Sequence, residues 1–232
     1  MPTTSLQDAE FGAIAIRRSA LARSLRLKVN ERGSLVISMP KRAPLYLAKQ
    51  LVDEARDQVR KSLKKTQSQL TVLQNSDMIG KSHRLVIRDG DELSGRLIGN
   101  FIEVTLPPAV LPESPKAQEY IKEFALKALR TQAKAYLSRR LKELADRHGF
   151  RYENVRFSNA GTRWGSCSSS GTISLNIWLM QLPFDLIDYV IVHELCHTRQ
   201  MNHSPQFWSL VEAILPNYRE LRRTLKAKRP YL

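Results

Sequence analysis

Three of the chain's five histidines fall within eleven residues, in His193-Glu194-Leu195-Cys196-His197 and then His203. An H-E-x-x-H run does chemistry only if it is helical, so this segment dictates local structure more tightly than any other. Four residues of α-helix turn the chain by about 400° and advance it about 6 Å. His193 and His197 therefore share one face and can grip a single ion, while Glu194 lies about 100° round from His193. With 5 His and 13 Glu in 232 residues, about 0.006 such matches are expected by chance.

The flanking residues support a rigid mount. Phe184, Ile187, Val190, Ile191 and Leu195 follow helical spacing and predict a buried stripe. Val190, Ile191 and Val192 are β-branched and mildly unfavourable in a helix, so packing must hold it. The spacing predicts a helix ending near Met201-Asn202, with a left-handed Asn202 reversing the chain. Ser204-Pro205 reads as the N-cap and first residue of a further helix, with Phe207, Trp208, Val211 and Ile214 inward until Pro216. The reversal brings His203 back as third ligand; Glu212 is the alternative. Catalytic zinc takes three protein ligands and keeps one position for water, and Glu194 is placed to act as its base.

These residues resemble a known family. Ile187 through His197, followed by Asn202-His203-Ser204 and Phe207-Trp208, is similar to the YgjP-like metallopeptidase domain family. Arg163-Trp164-Gly165-Ser166-Cys167 and Ile173-Ser174-Leu175-Asn176 resemble its other blocks. The likeness is densest over residues 155–218, with a fainter echo in Arg17-Arg18-Ser19 and the run to Pro40. The resemblance implies an α+β fold akin to SprT-like and other zincin domains. It also implies His193, His197 and His203 as zinc ligands and Glu194 as catalytic base. The spacing from His197 to His203 equals that of metzincins, but Gln200 stands where they carry glycine. Members are usually named as peptidases, and some are described as pyrophosphatases acting on UTP.

The fold expected is a zincin-like core whose H-E-x-x-H helix packs on a small sheet, preceded by a β-rich part. Ile14–Ile16, Leu25–Val29 and Leu35–Ile37 read as strands, the last two joined by a turn at 30–33. Leu45 to about Leu73 reads as one long charged helix, and 83–88 and 101–106 as further strands. After a linker at 107–115, a helix runs from Lys116 to Arg147, with Tyr120, Phe124, Ala128, Ala135, Leu137, Leu141 and Leu144 inward and Gly149 as its cap. The division expected is 1–112 as the β-rich part and 113–232 as catalytic core, the two possibly forming one continuous domain. No internal repeat is visible.

Smaller features leave alternatives open. Arg163, Trp164 and Asn176 are candidate substrate residues: Arg163 can hold a phosphate or carboxylate, or brace its loop. Thr172–Asn176 is either an edge strand for a substrate peptide or a buried structural strand. Cys167 can visit the metal or sit in a tight turn; Cys196 reads as buried. Asp188 can orient a ligand imidazole or cap its helix, and Tyr218 can serve an oxyanion or pack. His83 and His148 read as ordinary histidines.

Composition bounds the partners. The net charge of +15, from 37 Lys+Arg against 22 Asp+Glu, favours polyanions. Peptide, nucleotide and nucleic-acid partners all remain open on charge alone, although no base-stacking motif is present. No run is long and apolar enough to span a bilayer, and the first eight residues lack a secretory core. With two cysteines, a cytoplasmic enzyme with reduced thiols is expected. Three function classes follow: a zinc peptidase, a nucleoside triphosphate pyrophosphatase on the same metal, and a basic nucleic-acid-associated module with structural zinc.

Overall fold

Alternating apolar residues in the first seventy positions bury one face of a four-stranded sheet. The computed structural model describes residues 4–29, 34–67 and 72–230, and the chain divides into two compact units, Met1–Thr71 and Val72–Leu232. In the first unit, β1 (Thr4–Asp8), β2 (Gly12–Ser19), β3 (Arg26–Val29) and β4 (Leu35–Pro40) assemble in the order β1-β2-β4-β3. Strands β3 and β4 pair antiparallel, as expected, with Leu27 opposite Ile37; their connecting turn lies outside the described residues. Ile14, Ile16, Leu35, Ile37 and Met39 face a core completed by Ala48, Val52 and Val59.

The helix expected from Leu45 onward is broken at Ala55 into α1 (Leu45–Glu54) and α2 (Arg56–Gln67). Arg56, at the break, is held by Asp53 at 2.7 Å and by Asp8 and Glu10 from the turn after β1. Arg60 adds a second bond to Glu10 at 2.6 Å. These ties re-aim the second helix, which periodicity alone cannot reveal.

The second unit begins with β5 (Met78–Ile79), β6 (His83–Asp89), β7 (Ser94–Ile98) and β8 (Phe101–Leu106), ordered β5-β6-β8-β7. This repeats the topology of the first sheet strand for strand, with the same antiparallel, parallel, antiparallel pairing. The duplication is invisible as a sequence period because pairing order, not residue identity, is what recurs. Leu85, Ile102, Val104 and Leu106 share a core with Ile121, Phe124, Ala125, Ala128 and Leu129 of α3 (Pro115–His148). That shared core places the sheet with the C-terminal elements.

Helix α3 starts at a Ser114 cap whose side chain accepts from the Ala117 amide, with Pro115 at the first position. It ends on Gly149 at φ 67°, a left-handed cap suited to glycine. Ala133 is buried where Ala135 was expected, and Ala135 is exposed. A second small sheet follows: β9 (Asn154–Ser158), β10 (Gly165–Cys167) and β11 (Thr172–Asn176), in the order β10-β11-β9. Strand β11 lies between its partners, so the edges are β10 and β9. Helix α4 (Phe184–His197) then packs against α3, β10, β11, α5 (Pro205–Ile214) and α6 (Tyr218–Lys226). It is apolar nearly all round, as a central helix must be. The expected stripe is buried except Phe184, which is 53% exposed at the first turn and packs against Tyr136. No helix among the described residues is long and apolar enough to cross a membrane.

Candidate metal centre

The site is built on the last two turns of α4. Helix geometry puts His193 and His197 on one face, and their Nε2 atoms lie 3.3 Å apart. The helix stops at His197, earlier than expected, because Thr198 and Arg199 tighten to i−3 carbonyls and the Thr198 hydroxyl donates to Leu195 at 2.7 Å. Asn202 does not adopt a left-handed conformation; the sole described non-glycine residue with positive φ is Ser76. Instead, Asn202 fastens the turn through its side-chain oxygen, which accepts from the Gln200 amide group at 3.2 Å and the Ser204 backbone at 3.3 Å. The result still swings His203 back, its Nε2 3.1 Å from that of His193.

The three imidazole nitrogens lie within 4.8 Å of one another. For metal–nitrogen bonds of about 2.0–2.1 Å in tetrahedral geometry, the nitrogens should be about 3.3 Å apart. A single proton on His193 Nε2 can join it to only one of its two neighbours at a time. The carbonyl of Gln200 lies 3.0 Å from His197 Nδ1 and can only accept, so that nitrogen carries the proton and Nε2 offers a lone pair. His193 Nε2 faces two such neighbours at once, and its Nδ1 is buried with no partner. Burial, with His197 and His203 adding to it, pushes His193 down to about 3, and burial also lowers His197. Both therefore stay neutral at ordinary pH, the form in which imidazole binds a cation. The three side chains fit a metal ion.

Glu194 is 5% exposed and is pushed up to about 8 by burial, with the Arg163 charge pulling the other way. A cation beside it would bring that value down. Its neighbour is the edge strand: a Cβ built on Gly165 would stand 2.6 Å from Glu194 Oε1 and 2.8 Å from Cγ. The glycine of the Arg163–Cys167 block is thus where backbone and carboxylate meet. Glycine inside a short strand is the available signal for such an approach.

Other candidates fall into place around this core. Arg163 is exposed, and Trp164 is half-buried against the main core. Asn176 is fully buried; its Nδ2 donates to the carbonyls of Ala160 and Arg163, the latter at 2.8 Å, and its Oδ1 accepts from Trp178 at 3.1 Å. Its side chain braces the loop that carries Arg163. Among the described residues, Asp188 forms no hydrogen bond to an imidazole. It takes a bidentate pair from Arg140 of α3, at 2.8 and 2.6 Å, fixing α4 to α3. Glu212 is exposed and paired with Arg219, away from the histidine group. Tyr218 stacks on Trp208 with ring centroids 5.4 Å apart, and Trp208 stacks on His203 at 5.5 Å; this aromatic column backs the third histidine. Cys167 and Cys196 are free thiols, Cys196 buried and pushed up to about 12. His83 is a buried structural histidine bonded to Gln132 and Ser82.

The model of the YgjP-like metallopeptidase domain matches residues 23–228. The chain belongs to the YgjP-like metallopeptidase domain family. Among solved structures, the metallopeptidase zymogen abylysin of Pyrococcus abyssi is 25% identical, covering 41% of this chain and 98% of its own, with a TM-score of 0.36. The jannalysin zymogen of Methanocaldococcus jannaschii is 18% identical, covering 39% of this chain and 93% of its own, with a TM-score of 0.35. No curated protein matches significantly. As a YgjP-like domain, the chain is placed among metal-dependent peptide hydrolases by the family match, and its own histidine cluster is a group able to hold the metal.

Proposed function

We propose that this YgjP-like chain is a zinc peptidase in which His193, His197 and His203 hold the ion and Glu194 is the general base. The observation that carries it is that His193 Nε2 lies 3.3 and 3.1 Å from the Nε2 atoms of His197 and His203, near the edge of a tetrahedron, with the next residue a buried carboxylate. When bound, zinc supplies a Lewis acid for the scissile carbonyl and lowers the pKa of a water to about 7. Glu194 takes a proton from the attacking water and passes it to the leaving amine nitrogen. Gln200, through its carbonyl, keeps the proton of His197 on Nδ1 and the Nε2 lone pair directed inward. Strand β10 is the sheet edge beside Glu194, so a substrate main chain can bind by adding a strand there.

The test is incubation of zinc-loaded wild type and Glu194→Gln with unfolded proteins and, separately, with nucleoside triphosphates. The reading expects about one zinc per chain in both, cleavage of the unfolded proteins by wild type alone, and intact nucleotides. Release of pyrophosphate with untouched protein substrates would transfer the site to nucleotide chemistry. Equal activity of both proteins would remove Glu194 from the mechanism.

A further inference from the structure

Among the described residues, two guanidinium groups near the candidate metal centre, those of Arg163 and Arg222, form no salt bridge. In the same unit Arg140, Arg147 and Arg219 each face an acidic partner. Arg163 is exposed, and among the described residues its side chain has no ion pair or hydrogen bond. It stands two residues before Gly165, the point where the edge strand touches Glu194, and Asn176 pins its carbonyl. Arg222 on α6 is likewise exposed and without a carboxylate. Its Cζ lies 4.5 Å from the Trp208 ring centroid, and that ring stacks on His203. One charge therefore stands on the Glu194 side of α4 and the other on the His203 side.

Both charges are felt at the reacting groups: Arg163 draws the pKa of Glu194 down, and Arg222 contributes to depressing His193. Glu212, on the helix that carries Trp208, is already taken by Arg219. A guanidinium without a salt bridge is free to receive an anion, and it suits a carboxylate through two parallel bonds. The net charge of +15 would also draw acidic chains towards the protein.

Resting on the peptidase reading, the geometry points to acidic peptide segments as the substrate class, with a carboxylate side chain on each side of the scissile bond received by Arg163 and Arg222. The two arginines are specificity-determining residues and take no part in the proton transfers.

Three peptide series test this, identical except for Glu, Gln or Lys at the residues flanking the scissile bond. They are offered to zinc-loaded wild type, Arg163→Glu, Arg222→Glu and Arg223→Glu. Arg223 is an exposed arginine of the same helix and serves as a control for bulk charge. Wild type should cut the Glu series with kcat/KM about three- to tenfold above the Gln series, and the Lys series below both. Arg163→Glu and Arg222→Glu should invert the Glu-to-Lys ratio, while Arg223→Glu keeps the wild-type order. Affinity of the zinc-loaded Glu194→Gln protein, read by peptide fluorescence anisotropy, should follow the same order and converge at high salt. Equal rates and affinities for all three series would overturn the acidic preference and leave the peptidase standing. So would an Arg223→Glu effect as large as the other two. If wild type cuts no series, the peptidase reading falls and this inference with it.

Discussion

Replacing Gly165 by alanine should disable the site without dismantling the fold. The added Cβ would stand 2.6 Å from Glu194 Oε1, 2.8 Å from Cγ and 2.9 Å from Cδ. Reaching the 3.4 Å of ordinary contact from 2.6 Å requires about 0.8 Å of movement. Glu194 is 5% exposed and close-packed, so either the carboxylate or strand β10 must yield. Overpacking of this kind costs about 1–3 kcal/mol of stability, which for a chain of this size lowers Tm by about 2–12 °C. The catalytic loss should be larger, because displacing a reacting group by about 1 Å can cost about 100-fold. The assay is kcat/KM on an unfolded protein substrate, with metal content and thermal melting measured on the same samples. Gly165→Ala should retain about one zinc per chain, melt slightly lower, and turn over about 100-fold more slowly. Wild-type kcat/KM in Gly165→Ala would refute the reasoning, since it would mean that the carboxylate has room to spare.

Glu194→Gln should lower turnover about 10²- to 10⁴-fold while keeping its zinc, measured by kcat and atomic emission. In metal-free protein, burial holds Glu194 at about 8, above its ordinary 4.5. The stability this gives is fully present below pH 4.5 and is lost as pH rises through 8. Metal-free Glu194→Gln should therefore melt above metal-free wild type at pH 9 and level with it at pH 4; equal melting at both would contradict the burial argument. His203→Ala should weaken zinc binding in a competition titration with a chelator, whereas His148→Ala should leave it unchanged. Asp188→Asn should cost about 1–3 kcal/mol, seen as a lower denaturant midpoint, because Arg140 at 22% exposure loses its charged partner on α4.

The candidate site was legible because the chemistry proposed for it fixes the spacing of its residues. His193, Glu194 and His197 could serve one ion only on a helix, and the apolar run before them could pack only as a buried one. Likewise Ser114-Pro115 and Gly149 announce the ends of α3 by backbone requirements that few residues meet. What escaped the sequence depends on tertiary partners. The Arg140–Asp188 clamp joins residues 48 positions apart, and nothing local marks it. Strand β10 has three residues, too few for an alternating pattern, so the longer β11 was the candidate edge although it lies in the middle of its sheet. The bonds by which Asn176 braces the loop at 160–163 are likewise tertiary and leave no local mark. Asn202 was expected to turn the chain through its backbone and does so through its side chain.

The short turn after α4 performs two tasks with one piece of backbone. The carbonyl of Gln200 decides which nitrogen of His197 bears hydrogen, and two residues later the Asn202 knot sets where His203 arrives. Chain length there is consequently a chemical variable as much as a geometric one. Adding or deleting a residue would shift the approach of His203 and the tautomer of His197 together, so this connection should tolerate less change in length than an ordinary surface loop.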